Sequence, residues 1–281
     1  MFKKTSEVQH SSDADYVFLQ DDTGQDWIYK QIADPSPDNQ IVIVLETFAS
    51  KMARAVGIPI NEARTISPSE SFDYRLFDKY PGSLHLKVQG KCVNDFSTWV
   101  DDFDIHQKFR SPFRIARLGP LPEEEIGLRR IIIQNMAKNK DLAKLVALDT
   151  YLGNCDRSSL NMFYDEEKDS FYGIDMGNCF AGNLAKCAES KITDFFAKEA
   201  SFSEQELSGL RHYKEALLSL TSKFSPAETI ALLESSLEEA GFLPSNPLLW
   251  NEDVEQKINT WKLLIDLNHK SSLRLISILD I

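Results

Sequence analysis

Cysteine is sparse in this 281-residue chain: Cys92, Cys155, Cys179 and Cys187 stand apart with no Cys-x-x-Cys pair, and the five histidines are scattered. Neither a zinc site nor a disulfide framework is indicated, and a reducing compartment fits. Lysine and arginine number 31 against 43 aspartates and glutamates, for a net charge of −12 and a pI near 4.9. A surface of that sign repels phosphate backbones and anionic leaflets, which argues against nucleic acid as a partner. Long apolar runs are missing as well. The longest aliphatic stretch, residues 41–45, is too short to span a bilayer, and MFKKTSEVQHSSDADY at the amino end has no apolar signal-peptide core. The expectation is a cytoplasmic protein without integral membrane association; a chain made in one cell and delivered into a host cytosol would read the same. Glycine is also thin, and no G-x-G-x-x-G is present, so the usual glycine-rich cover over phosphates is excluded.

Hydrophobic residues make up 42% of the chain and charged ones 26%, enough for one two-lobed domain or two small ones. Residues 1–15 are polar and read as a flexible tail. Residues 16–20 and 26–32 read as strands around DDTG, a turn with the single glycine Gly24. In the second strand Ile28, Lys30 and Ile32 share a face, so Lys30 stands among apolar neighbours. Two readings stand: an edge-strand lysine that snorkels to water, or one that meets a carboxylate. The carboxylate on offer is Glu46, in IVIVLETFASKMARAVG, where Val42, Leu45, Ala49, Met52, Ala53 and Val56 recur at helical spacing before Gly57 and Pro59.

Farther on, SFDYRLFDKYPGS, residues 71–83, reads as a strand running into a Pro-Gly turn. The pattern then turns helical: residues 94–107, 123–139, 141–152, 193–198, 203–223, 226–240 and 254–280. Ser203 with Glu206, and Ser225 with Pro226 and Glu228, are helix-start signals. In GFLPSNPLLW, Phe242, Leu243, Leu248 and Trp250 are expected to pack on the helices.

Residues 148–178, LDTYLGNCDRSSLNMFYDEEKDSFYGIDMGN, hold the densest chemistry. A helix end meets the break Gly153-Asn154; Asp156 and Asn161 follow; the apolar residues 162–164 and the returning FYGI bracket a polar hairpin and deliver Asp175 just before Gly177. Strands joined by a hairpin bring Asn161 and Asp175 to one side. An amide oxygen beside a carboxylate suits Mg²⁺, which takes the rest of its shell from water and substrate phosphates. Asp156 then lies where a base facing an attacking hydroxyl is needed. The plain alternative is a hairpin whose Asp and Asn merely cap turns. Asp149 reads as a structural acceptor tying the loop backbone, with a catalytic role as the alternative.

GNCDRSSLNMFYD with GIDMGN resembles the catalytic and metal-binding loops of the HipA-like kinases and the related phosphatidylinositol 3- and 4-kinases, which carry G-N-x-D-R-H-x-x-N and I-D-x-G on a protein-kinase-like fold. The strand lysine, helix glutamate and VGIPI at residues 56–60 resemble the amino-terminal part of HipA-like kinases. The likeness covers residues 148–177 and 27–60. It implies an α+β, protein-kinase-like two-lobed fold, with a small, mostly β N-lobe over residues 16–80 and a larger helical C-lobe over 81–281. By the same likeness Asp156 is the catalytic aspartate and Arg157 helps to hold its loop. Asn161 and Asp175 are the Mg²⁺ ligands, while Lys30, oriented by Glu46, meets the ATP phosphates. The backbone turn from Asp22 to Gly24 is assigned to cover those phosphates. ATP and Mg²⁺ are the implied cofactors. A protein serine or threonine is the expected acceptor on this acidic surface, with a phosphoinositide as the alternative. Ser158 stands where those families usually have His, which keeps open a third reading, a pseudokinase that binds nucleotide without turnover.

Overall fold

The computed structural model describes residues 2–11, 14–34, 36–93, 136–137, 139–154, 157, 159–182 and 202–279. The helices expected at 94–107 and 193–198, nearly all of the one at 123–139, and both Asp156 and Ser158 lie outside them. The chain is α+β, sheet-rich in its amino-terminal part and helical in its carboxyl-terminal part. It divides into two compact units, Met1–Met52 with Asn61–Val88 and Ala227–Lys262, and Ala53–Ile60 with Gln89–Pro226 and Leu263–Ile281.

The first unit is built on an antiparallel sheet of β1 (Phe2–Lys4), β2 (Gln9–His10), β3 (Ala14–Asp21), β4 (Asp26–Ile32), β5 (Ala63–Ile66) and β6 (Gly82–Leu86). The order is β1-β3-β4-β6-β5, with β2 also on β3. β6 lies beyond residue 80, where the sequence reading ends the small lobe, yet it is the central strand between β4 and β5. The expected flexible tail is corrected too. Phe2 pairs with Asp21 and Gln9 with Tyr16, and the Phe2 ring meets Trp27 and Phe72 edge-on, each at 6.0 Å between centroids. Ladder bonds plus an aromatic anchor hold this polar segment where composition alone gave no reason for order.

The sheet has two unlike faces, as the period of two demands. On one, Val17, Leu19, Tyr29, Ile66 and Leu84 form a buried cluster, closed over by Phe2, Trp27, Phe72, Tyr74 and Leu76. The last three belong to the segment expected as a strand, but it forms none before Gly82. Its alternation instead marks side chains laid on the sheet, while its backbone is satisfied by two side chains. The Gln31 amide accepts from Leu76 and Phe77 N–H at 2.7 and 2.9 Å and donates to the Phe77 and Tyr80 carbonyls at 3.0 and 2.8 Å. Arg75 donates to the Ser67, Glu70 and Tyr80 carbonyls. On the other face Tyr16, Lys30, Ser83 and Thr65 stand in one cross-strand row. Over it lies α2 (Ile43–Ala55), which follows the short α1 (Pro37–Gln40). Thr65 donates to Thr47 at 3.0 Å, and Ser50 accepts from Ala63 N–H at 3.0 Å and donates to the Asn61 carbonyl at 2.9 Å.

In the second unit β7 (Lys91–Cys92), β8 (Met162–Asp165) and β9 (Ser170–Gly173) form a three-stranded sheet. α3 (Lys140–Leu152), capped by Asn139, is buried on nearly every side. Its Thr150 hydroxyl accepts from Tyr213 of α4 (Glu204–Lys223) at 3.0 Å. α4 starts where the sequence signal puts it, with a reciprocal capping box between Ser203 and Glu206. α5 (Pro226–Glu239) and α6 (Glu252–Ile278) complete the described helices. Between them Phe242 is buried as expected, whereas Leu243 and Leu248 are exposed, the loop turning them outward around the hydrogen-bonded Asn246. Among the described residues no helix is long and apolar enough to cross a membrane.

Because Gln31 is fully buried and satisfies four backbone groups at once, Gln31→Leu should cost about 2–4 kcal/mol of stability. Urea unfolding of the two proteins measures this, and a loss well under 1 kcal/mol would show that the loop is held by its aromatic side chains alone.

Candidate active site

α3 ends because Gly153 adopts the left-handed conformation, φ 66°, and its N–H turns back to the Asp149 carbonyl. Asn154 repeats the contact, its N–H donating to that carbonyl at 2.9 Å and its side-chain amide to the Asp149 carboxylate at 2.7 Å. Arg157 reaches the same carboxylate through two donors, Nε at 2.9 Å and Nη2 at 3.0 Å. Its Nη1 donates to the carbonyls of Asn161 at 2.7 Å and Ile174 at 2.8 Å, and Nη2 also meets the Met176 sulfur at 3.0 Å. An arginine has five N–H groups, and here each has an acceptor. Burial works against the charge of Arg157, but the Asp149 carboxylate outweighs it, by charge and by hydrogen bonds, and raises the pKa above the usual arginine value. Arg157 is thus a brace within the loop, with no donor left over for a phosphate.

The brace joins two strands of chain. The turn Ser159–Asn161 leads into β8, Met162 stands opposite Gly173 of β9, and the Ile174 N–H donates to the Asn161 carbonyl at 3.0 Å. Asn161 and Asp175 therefore flank the same end of the hairpin, as the sequence pattern requires. Asp175 holds φ 57°, a left-handed conformation that is uncommon for non-glycine residues, though aspartate takes it more readily than most. Gly173 is glycine for space: a Cβ there would press on Leu145 at 2.8 Å and the Arg157 guanidinium at 3.0 Å. Its N–H donates to the Pro59 carbonyl at 3.0 Å, so VGIPI is tied to the hairpin two residues before Asp175. On one face of this sheet Cys92, Phe163 and Tyr172 form a cross-strand row of half-buried side chains, a flat surface of the kind a planar ring can stack on.

In the first unit Lys30 finds its carboxylate. Nζ lies 3.0 Å from Glu46 Oε1, with Glu46 only 3% exposed and Lys30 23%. The snorkelling alternative is set aside, since the ammonium is directed at a carboxylate buried under the sheet.

The turn from Asp22 to Gly24 is another matter. Asp21 accepts from Thr23 N–H and Gln25 N–H at 2.9 Å each, from the Thr23 hydroxyl at 2.7 Å and from Trp27 Nε1 at 2.9 Å, while the Gly24 N–H goes to the Asp21 carbonyl. Two amides of the turn are thus engaged by Asp21, that of Thr23 by its carboxylate and that of Gly24 by its carbonyl. That carboxylate is held at about 2 by the Thr23 and Trp27 donors, so it stays negative.

Sequence reasoning saw Asn154 and Arg157 without their geometry. The i, i+8 pair of Asp149 and Arg157 across a Gly-Asn helix end was the available signal for the brace. Asp156 lies outside the described residues.

A comparison with protein-family models finds no match, and neither does a comparison with curated proteins. Among solved structures the chain is similar to the Helicobacter pylori proinflammatory kinase CtkA, at 11% identity and a TM-score of 0.48 over 96% of each chain. It is also similar to the Rio2 kinase of Chaetomium thermophilum, solved as an ADP/Mg²⁺–phosphoaspartate complex, at 13% identity and a TM-score of 0.42 over 92% of this chain and 71% of that one. A third is the Plasmodium vivax ethanolamine kinase, at 12% identity and a TM-score of 0.33 over 94% and 82%. At these values activity and substrate must be argued from this chain's own residues.

The Asp21 turn gives a pH prediction. A carboxyl lowered from 3.8 to about 2 on folding adds stability above its unfolded pKa, and that contribution is lost as pH falls through this window. Wild type should therefore melt above Asp21→Asn at neutral pH, with the gap closing between about pH 4 and 2. A gap that stays constant over that range would mean the carboxylate charge is not what holds the turn.

Proposed function

We propose that this protein is an ATP- and Mg²⁺-dependent phosphotransferase of the HipA-like kind, built on a protein-kinase-like arrangement, whose acceptor is a protein serine or threonine hydroxyl. The observation that supports the reading is the hairpin end, where Arg157 Nη1 holds the Asn161 and Ile174 carbonyls and the Ile174 N–H donates to the Asn161 carbonyl, so that Asn161 and Asp175 flank one end of the hairpin. Asn161 and Asp175 supply hard oxygen donors. Among the described residues no group of three or more His, Cys, Asp and Glu side chains converges as in an all-protein metal cage, which leaves a shell completed by water and phosphate, the habit of Mg²⁺. Bound there, Mg²⁺ would neutralise charge on the transferring phosphate. Lys30, fixed by Glu46, would hold the nucleotide phosphates, as a strand lysine paired with a helix carboxylate does in kinases. Phe163 and Tyr172 would receive the adenine ring. Asp156 would accept the proton of the attacking hydroxyl, its place in D-R-S-S-L-N matching the base position. The acidic charge of −12 favours a protein acceptor over a lipid in an anionic leaflet.

A pseudokinase reading has one observation in its favour: the Thr23 and Gln25 amides at the DDTG turn are committed to Asp21. The test uses purified protein, labelled ATP and Mg²⁺, with a protein lysate and with anionic lipid vesicles, beside thermal unfolding with and without ATP and Mg²⁺. Wild type should be stabilised by the nucleotide and should label protein. Asp175→Ala should lose both effects, Lys30→Ala should cripple turnover without unfolding the protein, and Glu46→Ala should do so less severely. Asp156→Asn should keep nucleotide affinity within a few-fold while transfer falls by roughly 10²-fold or more. Stabilisation without transfer in wild type would replace the enzyme with a binding module; full activity in Asp175→Ala would remove the hairpin from the site.

A further inference from the structure

The strongest cluster outside the groups assigned to nucleotide and metal is centred on Asp149. Its side chain is 10% exposed and carries three hydrogen bonds, two from Arg157 and one from Asn154, while its own carbonyl accepts the Asn154 N–H. The two ends of the four-residue stretch 154–157 are therefore anchored to one residue on a buried helix. Arg157 carries the constraint onward, because the same guanidinium that pairs with Asp149 holds the carbonyls of Asn161 and Ile174. Contacts thus run from Asp149 on α3 to Arg157, and from Arg157 to the backbone of Asn161 and of Ile174, the residue before Asp175. Both carbonyls are held by one nitrogen, Nη1, and the directions of its two N–H groups are fixed by the plane of the guanidinium, which Asp149 grips through Nε and Nη2.

Resting on the phosphotransferase reading, we propose that Asp149 is a positioning residue. It sets, through Arg157, the separation of the two Mg²⁺ ligands and touches neither nucleotide nor acceptor. The bland alternative is an ion pair that only stabilises α3 and its loop. The two differ in what a well-packed apolar replacement should do. Buried ion pairs exchanged as a pair for apolar side chains commonly leave stability intact, whereas removal of one partner strands a charge. Stability can therefore be recovered without the bridge to the two carbonyls, and positioning cannot.

The full chain is examined as wild type, Asp149→Asn, Arg157→Lys and the double variant Asp149→Leu with Arg157→Met. Three readouts are taken: melting temperature without ligand, binding of a fluorescent ATP analogue as Mg²⁺ is titrated, and phosphate transfer from labelled ATP. Asp149→Asn should melt lower and need about 10- to 100-fold more Mg²⁺ for nucleotide binding, the range seen when a partner behind a metal ligand is lost. The double variant should regain most of the lost melting temperature while keeping the raised Mg²⁺ requirement. Arg157→Lys, which keeps the charge but cannot pair in one plane with Asp149 while holding both carbonyls, should show the raised requirement with the smallest loss of stability, and it serves if the other two do not fold. The proposal is overturned if the double variant, or Arg157→Lys, binds nucleotide with the Mg²⁺ dependence of wild type. A wild type that shows no Mg²⁺-dependent nucleotide binding overturns instead the phosphotransferase reading, and this one with it.

Discussion

The second unit depends on one buried ion pair. Taking Asp149 and Arg157 out of water carries a desolvation penalty that their mutual attraction offsets only because the remaining hydrogen-bonding capacity is also filled. Two carbonyls, a thioether and the Asn154 amide fill it. Such an arrangement adds little net stability over apolar packing, but it has one geometry, and any shift of the Ile174 or Asn161 backbone would leave a charged donor unpaired in the interior. The cost of that misfit keeps the left-handed Asp175 in place.

The first unit solves a different problem with the same means. Its sheet has an apolar face, closed by aromatic rings, and a polar one, where Ser83 and Asn61 bracket the His85 ring at 2.6 and 2.9 Å and α2 adds Thr47, Ser50 and Glu46. Buried polar groups demand partners, so this face admits fewer alternative packings than a greasy one of equal area. Lys30 sits in that row, and the orientation of its ammonium follows from the register of three strands and one helix rather than from a flexible surface contact.

Much of this was legible in the residues. The strand bearing Lys30, the helix with Glu46, the hairpin and the Ser203 start signal all rest on local patterns, periods of two or 3.6 and capping chemistry, and those survive into the structure. What was not legible came from tertiary partners. FKK became a strand because β3 offered an edge and Phe2 an aromatic pocket. SFDYRLFD alternates like a strand but spends the backbone of Leu76 and Phe77 on the buried Gln31 amide. Leu243 and Leu248 read as core by composition alone and lie in solvent. In the site, Asn161 and Asp175 followed from hairpin geometry, whereas the engagement of every Arg157 donor needed coordinates, since nothing in D-R-S-S-L-N says which carbonyls a buried arginine will meet.

The absence of a glycine-rich loop has a structural counterpart in where Lys30 lies along its hairpin. Tyr16 is its partner on β3, near the start of that strand, and the DDTG turn is at the opposite end, past Asp26. Four residues of strand span roughly 13 Å, about twice the reach of a lysine side chain. An anion held by Lys30 would be out of range of the amides of that turn, and Asp21, ionised down to about pH 2, would repel it besides. The turn closes β3 onto β4 through the hydrogen bonds that Asp21 accepts. The ammonium of Lys30 is already met by the helix carboxylate of Glu46, at the end of the sheet where β3 begins.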